Sequence, residues 1–183
     1  MYRIQIIYYM KERLFFTFFI ISIALIGQKD IDIYKGDNYF IAYPKDWELK
    51  KSNKNGIQFI LYSKEQAADP FRENISLVIQ NVKEGTTLES QIELVEAELR
   101  NVMKTSKVTV NTFDKIKKRH EIVYSVNISA AYLKVKQHFY LNENKLYILT
   151  FTALQKSYDD YKKRANSILD SFKFKPVSAK KWN

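Results

Sequence analysis

Two histidines are all the imidazole this chain offers for acid–base or metal chemistry, and their surroundings differ. His120 follows Lys117-Lys118-Arg119, where nearby positive charge disfavours its protonation. His138 is in phase with Lys134, Lys136 and Tyr140, opposite Leu133, Val135, Phe139 and Leu141, so strand alternation puts it on the more polar face. Both therefore read as surface or rim side chains rather than ligands. No HxxxH, HExxH or Asp-rich calcium loop occurs. With no cysteine, the chain can form no disulfide, thiolate metal site, haem thioether or cysteine nucleophile, and it cannot take a lipid on an N-terminal cysteine. Glycines at 27, 36, 56 and 85 spell neither GxGxxG nor a P-loop, and a GxSxG elbow is absent. No cofactor and no recognised catalytic set is expected. A hydrolase using a carboxylate pair from distant strands would leave no such signature and stays an alternative.

Cations are the more abundant chemistry. The net charge is +10, with 30 Lys and Arg against 20 Asp and Glu. Lys115, Lys117, Lys118 and Arg119 form one cluster and Lys162, Lys163 and Arg164 another; together they are a possible anion-binding face. Only six of the basic residues are Arg, the residue whose fork grips phosphate in two places, so a dedicated nucleic-acid reader is not expected. A protein partner or an anionic surface fits better.

The elements that would position these residues can be read in order. Leu14 to Ile26 (LFFTFFIISIALI) is uncharged and follows Lys11-Glu12-Arg13. Thirteen residues make about 20 Å of helix, short of a ~30 Å hydrocarbon core, which is the pattern of an export signal. Met10 reads as the start, because MKERLFFTFF is better formed than what precedes it, and the mature boundary falls near Gln28. Leu25 sits where cleavage prefers a small residue, so an uncleaved membrane anchor is the alternative. Either way the destination is the periplasm or the outside.

Residues 1–27 are thus the signal segment, 28–38 a polar lead-in, 39–175 the folded domain and 176–183 a basic tail. Within the domain, strands are expected at Tyr39–Tyr43, Trp47–Leu49, Ile57–Tyr62, Ile75–Val82, Val108–Phe113, His120–Ile128, Tyr132–Leu141 and Leu146–Leu154. The last is the most continuously apolar and should be central. Thr86 and Glu89 match a capping box, opening a helix with Leu88, Ile92, Val95, Leu99, Val102 and Met103 on one stripe. A second helix runs from about Ser157 to Asp170, and Phe172-Lys173-Phe174 can return as an edge strand. Two-sided apolar strands with a helix mid-chain and one near the end imply an α+β fold. The arrangement would be an α/β/α sandwich, a central antiparallel sheet with a helix on each face.

The order of motifs has a likeness. YFIAYPKDWE (39–48), PFRENISLVIQNV (70–82), the helix after Thr87, LYILTFTA (146–153) and YDDYKKRANSILDSFKF (158–174) resemble the PsbP-like family across nearly all of residues 37–175. The resemblance implies an antiparallel sheet between helices. That fold serves both the extrinsic subunit of the photosynthetic oxygen-evolving complex and a Ran-binding nuclear import factor. It implies work by binding a larger partner rather than by catalysis, and it transfers no functional residues; Pro44 and Trp47 match the family opening as a turn and a core anchor. The expectation is an exported, non-enzymatic binding or accessory domain. The alternatives are a carrier of a small apolar or anionic ligand in a sheet–helix cleft, and the hydrolase above.

Overall fold

The structure is a computed structural model that describes residues 30–65, 71–101, 103–128 and 131–176. The signal segment with Met10, the boundary at Gln28, Asp69-Pro70, Val102 and the tail beyond Pro176 lie outside the described residues.

Two short turns set much of the strand pairing. Asn55 and Gly56 have φ of 54° and 78°, and Glu143 and Asn144 have 50° and 56°. Two successive positive φ values make a type I′ turn, whose twist suits adjoining antiparallel strands. Gly56 is needed for a second reason: a Cβ there would lie 2.6 Å from the carbonyl oxygen of Ile79. These turns join β3 (Glu48–Lys51) to β4 (Ile57–Tyr62), and β8 (Ala131–Asn142) to β9 (Lys145–Leu154). With β5 (Asn74–Asn81), β6 (Lys107–Asp114) and β7 (Arg119–Ile128) they form a seven-stranded antiparallel sheet in the order β3-β4-β5-β9-β8-β7-β6. The apolar strand β9 is central, as its composition requires.

A three-stranded sheet, β1-β2-β10, is separate: β1 (Ile31–Lys35), β2 (Tyr39–Pro44) and β10 (Lys173–Phe174). Here the polar lead-in reading needs correction. Residues 31–35 are a strand, paired with β2 from Ile31↔Pro44 to Lys35↔Phe40. Their own composition is ambiguous, and the decision comes from tertiary contact. Tyr34 sets its ring 5.1 Å from that of Phe59 in a T-shaped pair.

Helix α1 (Leu88–Asn101) begins one residue later than the capping-box reading places it. Thr87, not Thr86, is the cap, its Oγ1 accepting from the Ser90 backbone N–H at 3.2 Å. Helix α2 (Tyr158–Asp170) follows β9.

Alternation assigns the layers. Ile122, Tyr124, Val126, Leu133, Val135 and Phe139 share one face of the large sheet and pack on Ile92 and Leu99 of α1. Phe59, Leu61, Ile75, Leu77, Leu149 and Phe151 share the other face, under the small sheet and Ala165, Ile168 and Leu169 of α2. A helix therefore lies on each face, an α+β sandwich with the three-stranded sheet added beside α2. Trp47 is buried in the second cluster, behind the turn at Pro44.

Candidate functional site: a buried ion-pair cluster and an open sheet edge

The face that is apolar on β4, β5 and β9 changes character on β7 and β8. Arg119, Glu121, Val123 and Ser125 alternate on β7, and the register sets Glu121 opposite His138, Val123 opposite Lys136 and Ser125 opposite Lys134. One carboxylate gathers most of this charge. Glu121 Oε2 lies 3.0 Å from His138 Nε2, 3.1 Å from Lys136 Nζ and 3.7 Å from Arg119 Nη2. Arg119 also donates through Nη1 to Asp170 at 2.6 Å, and Lys117 Nζ reaches the other oxygen of Asp170 at 3.1 Å. The C-terminus of α2 is thereby tied to the start of β7.

Burial settles what the histidine can do. His138 is 0% exposed, which corrects its reading as a surface or rim side chain; alternation identified its face but not the cover over that face. Its Nε2–H donates to Glu121, and its Nδ1 is buried with no partner. A protonated ring would leave an N–H unsatisfied there. Loss of hydration lowers its pKa most, with Glu121 pulling the other way. The hydrogen bond from His138, with Lys136 beside it, holds Glu121 down at about 2. This is a carboxylate-oriented imidazole, closed off from solvent, whose free nitrogen has no hydrogen-bond partner among the described residues.

His120 differs. It is partly exposed, its ring bonds the Asn111 side-chain oxygen, and partial burial lowers its pKa despite Glu96 and Glu89 nearby.

The structure disperses the two basic clusters. Lys115, Lys117 and Lys118 are exposed in the β6–β7 turn, Lys118 at a φ of 49°. Arg119 is buried and engaged in ion pairs. Lys117, Lys118 and Arg119 line a cavity of about 460 Å³ with Tyr140, Asp170 and Lys173. Lys162 and Lys163 are exposed on α2, and Arg164 Nη2 donates to both carboxylate oxygens of Asp46, at 2.5 and 2.7 Å. Lys163 and Arg164 line a different groove of about 1000 Å³ with Lys45, Asp46 and Ile168.

Sequence reasoning passed over Glu121, Lys136 and Asp170. Glu121 and Arg119 alternating against Ile122, Tyr124 and Val126 was the available signal, but their pairing with β8 required the register.

The last feature is β6. Among the described residues it ends the large sheet with its outer side unpaired, runs for eight residues and is exposed at most positions. Val108 is 44%, Phe113 45% and Ile116, in the turn after it, 94% exposed. The opposite edge, β3, has four residues, two of them Lys50 and Lys51. Long exposed edges with apolar side chains are templates for strand addition; short lysine-bearing edges resist it.

A family model described as PsbP matches residues 29–174. No curated protein sequence matches the chain. Among solved structures, the chain is similar to cyanobacterial PsbP (CyanoP) from Synechocystis sp. PCC 6803. Identity is 13%, with 82% of this chain and 96% of that one covered, at a TM-score of 0.57. It is similar to LpqN of Mycobacterium tuberculosis, described as involved in cell envelope biogenesis, at 14% identity over 80% of this chain and 92% of that one, TM-score 0.58. A mutant of the protein Mog1 is 7% identical over 78% of this chain and 95% of that one, TM-score 0.53. At such identities the likeness to these structures is one of fold.

Proposed function

The chain belongs to the PsbP family, and from that premise we propose that it is an exported, non-enzymatic binding or accessory domain that holds a protein partner at its β6 edge. The observation that carries this reading is that edge: eight residues of strand whose outer side has no partner among the described residues, with Phe113 exposed on it and Ile116 exposed just beyond it. Backbone groups along it can pair with an incoming strand while the apolar side chains give that strand something to bury.

Two further observations support the reading. The His138–Glu121 pair has its imidazole closed off from solvent, and its carboxylate is already shared with Lys136 and Arg119. Export rests on the basic, apolar N-terminal sequence and sits well beside LpqN, whose description names the cell envelope. No helix among the described residues is long and apolar enough to cross a membrane.

The test is a pull-down from the native envelope using the tagged full chain and its Ile116→Glu variant. A stoichiometric protein held by the first and lost by the second supports the reading. A protein held equally by both would remove the β6 edge. Failure to retain any protein, with a small molecule seen in the native mass spectrum, would favour the carrier alternative.

A further inference from the structure

The cavity of about 460 Å³ beside the ion-pair cluster has two kinds of wall. One is aromatic. Ring centroids lie 5.1 Å apart for Tyr140 and Phe172, 5.3 Å for Phe172 and Phe174, and 6.0 Å for Tyr140 and Phe174. Tyr140 and Phe172 are buried and hold the half-buried Phe174 edge-on, so Phe174 is the ring that the cavity reaches. The other wall is cationic: Lys117, Lys118, Arg119 and Lys173 face a single carboxylate, Asp170.

Asp170 is shared between Lys117 and Arg119 Nη1. Lys118 and Lys173 form no ion pair among the described residues and remain exposed. Arg119, with its side chain only 7% exposed, is engaged by Asp170 and the Tyr140 hydroxyl and backs this wall. The exposed ammonium groups of Lys118 and Lys173 are the cations an anionic oxygen in the cavity can reach. The turn that carries these lysines is well set. Asp114 Oδ1 accepts from the backbone N–H of Ile116 and of Lys117, both at 3.0 Å, and Lys118 is held at positive φ. A non-glycine residue keeps that conformation only where its surroundings determine it.

We propose that this cavity binds a small aromatic anion. Its phosphate or carboxylate would meet Lys118 and Lys173, with Arg119 behind them, and its ring would lie on Phe174, which Tyr140 and Phe172 hold in place. The volume suits such a molecule, and a few charged groups over an apolar wall is the usual construction of a small-molecule site. The inference does not rest on the partner reading, since the purified domain alone should bind.

Calorimetric titration of the purified chain tests it, with phenyl phosphate, inorganic phosphate and benzyl alcohol as probes. Phenyl phosphate should bind at least tenfold more tightly than either other probe, because only it uses both walls. The Lys118→Ala/Lys173→Ala double variant alters two exposed side chains and should keep its melting temperature while losing at least tenfold in affinity for phenyl phosphate. Phe174→Leu should weaken phenyl phosphate several-fold and leave inorganic phosphate unchanged. The proposal is overturned if phenyl phosphate does not bind, binds no better than inorganic phosphate, or binds equally well to the double variant.

Discussion

At the β3–β4–β5 end of the large sheet, the face under the small sheet and α2 is dry except at its margin, where the buried Glu73 accepts from Ser63 and Ser157. Phe59, Leu61, Ile75 and Leu77 are fully buried there, and the edge strand is four residues long with Lys50 and Lys51 along it. At the β8–β7–β6 end the same face carries Arg119, Glu121, Lys136 and His138, and the edge strand is twice as long and bears exposed apolar groups. One end puts its apolar area inside and blunts its edge; the other buries charge and leaves apolar area outside. Apolar burial returns about 1.5–3 kcal/mol per large side chain, whereas a buried ion pair often does no better than apolar groups of the same volume. The contrast separates an end that supplies stability from an end that supplies recognition.

Truncation at the dry end should have the largest effect. Phe59→Ala removes a fully buried ring that lies 5.1 Å from the ring of Tyr34, and should lower unfolding stability by about 4 kcal/mol in urea titration. A loss under about 1 kcal/mol would mean the two ends do not differ as drawn. At the charged end, Glu121→Gln should cost about 3 kcal/mol, because Arg119 and Lys136 lose their shared partner while still buried. Replacing Glu121, Lys136 and His138 together by Leu or Met should cost far less than that single change. If the triple replacement were the worse, the cluster would be a source of stability and the comparison would have to be redrawn.

Acid sharpens the same contrast, because His138 and Glu121 are titratable groups in the interior of the charged end. The His138 pKa is lowered in the folded state, so the unfolded chain takes up a proton that the folded ring refuses. Stability should thus begin to fall as pH drops below the unfolded histidine value of about 6.5. His120 is shifted the same way, so His138→Gln should remove part of this slope and not all of it. Glu121 acts lower down. Its contribution is present above the ordinary carboxylate value and is lost as pH falls from about 4.5 toward 2. Urea midpoints at pH 7.5, 6 and 5 would show the histidine part; an unchanged slope in His138→Gln would sink it.

What could be read from sequence follows the same division. The dry end was legible, because alternating apolar strands, the Asn-Gly turn and the continuous run of β9 are local signals that agree with the final packing. The charged end was legible only in outline. Alternation put Lys134, Lys136 and His138 on one face, yet their burial depends on α2, and Glu121 meets them only through the β7–β8 register. The strand Ile31–Lys35 was missed for a related reason: its partner β2 and the Tyr34–Phe59 contact are tertiary facts. Thr87 displaced Thr86 as cap although only Thr86 has a Glu three residues on, because a threonine hydroxyl can cap from either position.

The smallest effect on stability should come from the most exposed apolar side chain, and it is the most telling for function. Ile116 is 94% exposed at the tip of the β6–β7 turn, so Ile116→Glu removes almost no packing and should change unfolding stability by no more than about 0.5 kcal/mol. A residue with no structural duty has no folding reason to be isoleucine. If β6 is where a partner strand adds, that partner should be lost from Ile116→Glu and kept by Lys51→Glu at the opposite edge, although both variants put a carboxylate on a sheet end. Equal loss from the two would point to charge rather than place. Loss only from Lys51→Glu would move the recognition surface to β3 and invert the contrast between the ends.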